Sequence, residues 1–105
     1  ELKRKCKYPI EFQKNNLEAY VAIEYKTDQQ GYIVKKRVVI CDNKKFKKTT
    51  METFNQVKTL KIATTEKIDT IYFQYKIQGS PTLIHSKVDV KIIGYGSNNK
   101  SILMK

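Results

Sequence analysis

A chain of 105 residues has room for one hydrophobic core rather than two, and 40% apolar content with seven Tyr and four Phe excludes a disordered tail. No run approaches the roughly 18 consecutive apolar residues of a membrane span, and Glu1-Leu2-Lys3-Arg4-Lys5 has neither an initiating Met nor a signal-peptide pattern, so the sequence reads as a processed chain or a piece of something longer. The net charge of +11 comes from 19 Lys and 2 Arg dispersed along the chain, which acts on solubility and attraction to anionic surfaces without marking one basic arm.

Tyr8-Pro9-Ile10-Glu11-Phe12-Gln13-Lys14-Asn15-Asn16 places Pro where a helix can begin, an acid in its first turn and Asn-Asn where it can stop. A helix of two turns or fewer follows. Ile10 and Phe12 cannot both point inward on so short an element. From Glu18 to Lys26 the pattern alternates, with Ala19, Val21, Ile23 and Tyr25 on one face and Glu18, Tyr20, Ala22, Glu24 and Lys26 on the other, as in a half-buried strand. Thr27-Asp28-Gln29-Gln30-Gly31 supplies a turn, and Tyr32 to Ile40 returns as the second strand of a hairpin. There Ile33 and the set Val34, Val38, Ile40 lie on opposite parities, which points to two partly covered faces or to a bulge near Lys35 and Lys36.

Asp42 or Asn43 can cap a helix carrying Phe46, Thr50, Phe54 and Val57 on one stripe, with Leu60 one turn on and Lys44, Lys45, Lys47, Lys48 and Glu52 on the wet side. Ala63-Thr64-Thr65-Glu66-Lys67 has no period and reads as a loop. Ile71, Phe73, Tyr75 and Ile77 then alternate with Thr70, Tyr72, Gln74, Lys76 and Gln78 in a third strand that ends at Gly79-Ser80-Pro81. Lys87 to Ile93 alternates again, giving a candidate fourth strand before a polar, Gly-marked tail. The short turn makes strands one and two antiparallel, and the helix is long enough for a crossover that returns strand three parallel to strand two. A right-handed crossover gives the order two, one, three. The expected class is α+β: a three-stranded mixed sheet, a short N-terminal helix and one longer helix packed on one face, with a fourth strand that extends the sheet or makes a dimer by exchange.

Chemistry-bearing constellations are absent from the sequence. His85, in Leu83-Ile84-His85-Ser86, has no carboxylate or nucleophile placed beside it and reads as a solvated loop residue. The six Glu and four Asp show no metal-ligand or paired-carboxylate spacing, and no Gly-rich phosphate loop occurs. The expectation is a binding domain without catalytic residues, metal or cofactor. Cys6 and Cys41 permit either a disulfide or two free thiols; bonded, they close a loop of about 35 residues worth about 3 to 4 kcal/mol in the chain-entropy model.

Tyr8-Pro9, then Leu17-Glu18-Ala19-Tyr20-Val21-Ala22-Ile23, then Asp28-Gln29-Gln30-Gly31-Tyr32-Ile33, and finally Phe73-Gln74-Tyr75-Lys76-Ile77-Gln78-Gly79 occur in an order and at intervals that resemble the TonB C-terminal domain family, to which the TolA C-terminal domain is similar in fold. The resemblance runs over about residues 7 to 80. Ala19 stands where that family often has Gly, and Lys36 where it has an apolar residue. The resemblance implies a periplasmic or secreted envelope protein that binds the TonB box of an outer-membrane transporter and transmits force to it. It implies that this segment adds as a strand beside Asp69 to Gln78, with Thr70, Tyr72, Gln74, Lys76 and Gln78 along the edge and Tyr8 and Pro9 as further contacts. Strand addition takes affinity from main-chain hydrogen bonds, so few special residues are needed. If Lys87 to Ile93 folds back on strand three, it fills that edge.

Two other readings use the same residues. One is a TonB-like surface or scaffold protein without energy transduction, since fold does not fix function. The other is a polyanion-binding module, for nucleic acid or peptidoglycan, in which Tyr20, Tyr32 and Tyr72 stack bases over a basic sheet. Scarce Arg and missing RNP aromatic motifs stand against nucleic acid. Nucleic-acid affinity falls steeply with salt, whereas main-chain strand addition hardly changes.

Overall fold

The computed structural model describes residues 6–56 and 67–96. In chain order they form α1 (Ile10–Lys14), β1 (Ala19–Thr27), β2 (Ile33–Cys41), α2 (Lys45–Asn55), β3 (Lys67–Ile77) and β4 (Val90–Gly94). The strands make one mixed sheet in the order β2-β1-β3-β4. β1 is antiparallel to both β2 and β3, so β2 and β3 run the same way, and β4 lies parallel to β3. The α+β class and the order two, one, three are as the connectivity predicts. The fourth strand is present, joined by a crossover rather than a tight hairpin. Val57, Leu60, the expected loop from Ala63 up to Glu66 and the polar tail from Ser97 lie outside the described residues, whereas Lys67, expected as the end of that loop, opens β3.

The local chemistry accounts for these boundaries. Pro9 fixes φ at −53° just ahead of α1. The helix ends where Asn16 turns left-handed at φ 55°, the Asn16 amide donating to the Gln13 carbonyl and the Leu17 amide to the Phe12 carbonyl, a Schellman closure. Ile10 remains exposed while Phe12 packs on the core. In the β1–β2 turn, Asp28 Oδ1 accepts from the amides of Gln30 and Tyr32, each at 2.9 Å, and Gly31 takes φ 88°. At the start of α2 the Asn43 Oδ1 accepts from the Lys45 amide at 3.1 Å. Asp42 instead accepts from the Tyr20 amide at 2.7 Å, tying the loop to β1.

Both helices lie on one face of the sheet. Val21, Ile23, Tyr25, Phe73, Tyr75 and Ile71 meet Phe46 and Phe54 of α2 there, in the core that Tyr8 also joins. The Phe46 ring touches those of Tyr8, Phe12 and Tyr75, with centroids 5.8, 4.8 and 4.7 Å apart. The Tyr75 hydroxyl is buried but satisfied: it is 2.7 Å from Thr50 Oγ1 and 3.3 Å from Cys6 Sγ. Burial holds the Tyr75 phenol and the Cys6 thiol above their ordinary pKa. Both cysteines are free thiols. Cys6 sits against Tyr75, and Cys41 donates to the Asn43 carbonyl at 3.1 Å; of the two states the sequence permits, the structure holds the unbonded one.

The opposite face is where alternation alone misleads. The expected half-buried β1 is buried on both sides over Ala19 to Ile23, because the crossover between β3 and β4 lies across the open face. The Tyr20 hydroxyl donates to the Lys87 carbonyl at 2.6 Å. Gln74, 2% exposed, donates from Nε2 to the Leu83 carbonyl at 3.0 Å and accepts from the His85 amide at 2.9 Å. Glu18 clamps the start of the crossover: its carboxylate accepts from the Ile77 amide at 2.8 Å, from Ser80 Oγ at 2.5 Å and from Thr82 Oγ1.

Partial burial works against the Glu18 charge, but the donors at Ser80, Thr82 and Ile77, with Lys76 nearby, outweigh it and hold its pKa below the ordinary value. A carboxyl that binds its proton less readily folded than unfolded stabilises the fold fully above the usual glutamate range near about 4.3. That stabilisation is lost as pH falls through the lowered folded value. In an NMR pH titration the amides of Ile77, Ser80 and Thr82 should therefore shift together on acidification. Glu18→Gln should remove that step, and a step that persists in the variant assigns it to another group.

Candidate functional site

The third-strand edge expected from the sequence is largely closed. β4 pairs with β3 from Phe73 to Ile77, and the ladder is extended at both ends: the Asp89 amide donates to the Tyr72 carbonyl at 2.9 Å and the Gln78 amide to the Gly94 carbonyl at 2.8 Å. Asp89 Oδ2 also accepts from the Tyr72 amide at 2.9 Å. Of the residues assigned to that edge, Tyr72, Gln74, Lys76 and Gln78 lie within this ladder, and Thr70 lies beyond it. An incoming strand at Tyr72–Gln78 must first displace β4.

β4 is not loosely laid on. Val90 and Ile92 are buried in the common core, and Gly94 passes so close to the segment ahead of α1 that a Cβ there would stand 2.6 Å from the Tyr8 ring.

The side chains expected to face a partner are engaged within the chain. Gln74 is buried beneath the crossover, and Lys76 Nζ donates to the Ser80 carbonyl at 2.9 Å. Tyr72 stacks on Tyr20 with centroids 6.0 Å apart, and the His85 ring stacks on the same Tyr20 at 3.7 Å. His85 is thus exposed yet seated on an aromatic ring, not simply solvated. This corrects the picture of an open Tyr20, Tyr32, Tyr72 platform: Tyr20 is 9% exposed, and only Tyr32 of the three, at 53%, is open to solvent. Tyr8 is also structural, its ring edge-on to Tyr75 at 5.5 Å and its hydroxyl donating to the Leu17 carbonyl. Pro9 sets the start of α1.

The sheet keeps two lateral margins among the described residues, β4 on one side and β2 on the other. β4 is five residues long and β2 nine. Along β2 the pairing slips twice. Ala22 faces Ile40 while Ile23 faces Val38, leaving Val39 opposite no residue; Lys26 faces Lys35 while Thr27 faces Ile33, leaving Val34 likewise. These two bulges resolve the clash of parities seen in the sequence and flank the regular run Lys35-Lys36-Arg37-Val38. Val34, Val39 and Ile40 are exposed at 54%, 42% and 40%.

A groove of about 590 Å3 borders this run, lined by Val34, Lys35, Lys36 and Arg37 from β2, by Glu24, Tyr25 and Lys26 from β1 and by Ile68 from β3. Arg37 Nε donates to Glu24 Oε1 at 2.9 Å in an exposed ion pair. Lys35 stands directly opposite Lys26 in the register. In the sequence the only sign of this margin is the mismatch of apolar parity in β2.

Among the described residues no group of three or more His, Cys, Asp or Glu is placed to hold a metal ion, and no helix is long and apolar enough to cross a membrane. What the arrangement offers chemically is main-chain hydrogen bonding beside a cationic and apolar strip. No family model matches the chain, and no curated protein matches it.

Proposed function

We propose that this chain is a protein-binding domain that takes an extended segment of another polypeptide as an added strand along β2. The observation that carries the reading is that β2, nine residues long, has a strand neighbour on only one side among the described residues and exposes Val34, Val39 and Ile40. An edge strand presents a row of main-chain donors and acceptors that an extended peptide satisfies, with side-chain contacts giving selectivity.

The sequence resemblance supplies the setting. It supports the periplasmic domain of a TonB-type energy transducer whose partner is the TonB box of an outer-membrane transporter, with the added strand moved from β3, where β4 sits, to β2. A secreted TonB-like scaffold would use the same edge without transmitting force. Strand exchange between copies has less support, because β4 is seated in its own sheet and the chain carries +11. The buried Tyr20 and the stacked Tyr72 weigh against base stacking.

Titrating a TonB-box peptide into isotopically labelled chain, followed by amide shifts, tests this. Shifts confined to Ile33–Cys41 are the expected result. Shifts along β3 and β4 instead return the site to the third strand, and no shifts at any concentration remove the transducer reading. A single-stranded oligonucleotide that moves the same amides, with affinity collapsing as salt rises, replaces it with polyanion binding.

A further inference from the structure

We propose that the segment accepted by β2 is acidic: a short run of Asp and Glu flanked by apolar residues. This inference rests on strand addition at β2 and specifies its partner.

Three consecutive cations, Lys35, Lys36 and Arg37, occupy the regular run between the two bulges, and β2 contains no acidic residue. Successive strand residues point to opposite faces. Lys36 lies opposite Tyr25 on the helix-covered face, whereas Lys35 and Arg37 lie opposite Lys26 and Glu24 on the other. A partner that matched only one face would leave a cation unmatched on the other. An uninterrupted acidic run supplies carboxylates to both.

Glu24 partly answers Arg37. Lys35 and Lys36 are exposed cations that an incoming carboxylate can reach. At the ends of the run, Val34 and Val39 are exposed apolar side chains on the bulges, and apolar residues flanking the acids meet them.

Bulges and edge lysines also guard a sheet against unwanted pairing. Here that guard is selective. A second copy of a chain with +11 brings like charge to the same strip and is repelled, while an acidic strand is attracted to it.

The test compares two synthetic peptides, one with the core Val-Glu-Asp-Glu-Val and one with its amide isostere Val-Gln-Asn-Gln-Val, each titrated into labelled full chain. The acidic peptide should shift the amides of β2 and bind about tenfold more tightly, the scale of a few exposed ion pairs, and raised salt should erase the difference. Lys35→Glu with Lys36→Glu, both exposed positions that leave the Arg37 to Glu24 pair intact, should abolish the preference without altering the rest of the spectrum. Equal binding of both peptides at β2 overturns the acidic specificity while strand addition stands. Failure of both to move β2 overturns strand addition at this edge as well. Acidic-peptide shifts centred on Lys44 to Lys48 overturn the placement.

Discussion

Phe46→Ala should lower folding stability by about 3 to 5 kcal/mol, the range for deleting a fully buried aromatic ring. Phe46 is completely buried and is the point where α1, α2, β3 and the N-terminal segment meet, in ring contact with Phe12, Tyr75 and Tyr8. Removing it leaves a cavity bounded by three other rings, two of which are fixed by hydrogen bonds: Tyr8 to Leu17, and Tyr75 to Thr50. Such walls relax little, so the cost should fall in the upper part of that range. In a domain whose total stability is about 5 to 15 kcal/mol, the urea midpoint should drop by about a quarter or more, with the slope unchanged if unfolding stays two-state. A loss below about 1 kcal/mol would mean that α2 does not dock through this ring.

Deleting residues 82–105 should be comparably damaging and decides whether β4 is a gate or a strand of the fold. Val90 and Ile92 are buried, each worth about 1.5 to 3 kcal/mol on burial. The deletion also strips Gln74 of its partners at Leu83 and His85 and Glu18 of Thr82, leaving polar groups adapted to burial on a newly opened face. The truncated chain should lose most of its cooperative unfolding transition. Ile92→Ala alone should give a milder loss of about 2 to 5 kcal/mol while the sheet persists. If β4 merely covered a binding edge, deletion would leave the midpoint unchanged and a TonB-box peptide would then move the amides of β3. That pair of results would restore the third strand as the binding site.

Much of the architecture was legible because it is written in short-range pattern. Pro9 and the Asn pair bracket α1, Asp28 and Gly31 build the hairpin turn, and the spacing of Phe46, Thr50 and Phe54 puts one stripe of α2 on the sheet. The order two, one, three follows from one short turn and one crossover. The exposure of the third strand was less legible. Thr70, Tyr72, Gln74, Lys76 and Gln78 alternate as a solvent face does, yet Gln74 is more deeply buried than many apolar residues in the chain. A polar residue accepts that position because both ends of its amide are satisfied by Leu83 and His85, and those partners are loop backbone that no side-chain pattern announces.

The sequence by itself determined the elements, the helix-covered face of the sheet and the abundance of positive charge, because hydrophobic period, turn residues and charge act over a few positions at a time. Only the tertiary structure decided which strand lies at the margin. That depends on where the crossover after β3 lands, and its landing is set by contacts between residues far apart in the chain, Tyr20 with Lys87 and Glu18 with Thr82 among them. Once β4 occupies the flank of β3, the margins of the sheet among the described residues are β4 and the longer β2, and on β2 two bulges flank three consecutive cations.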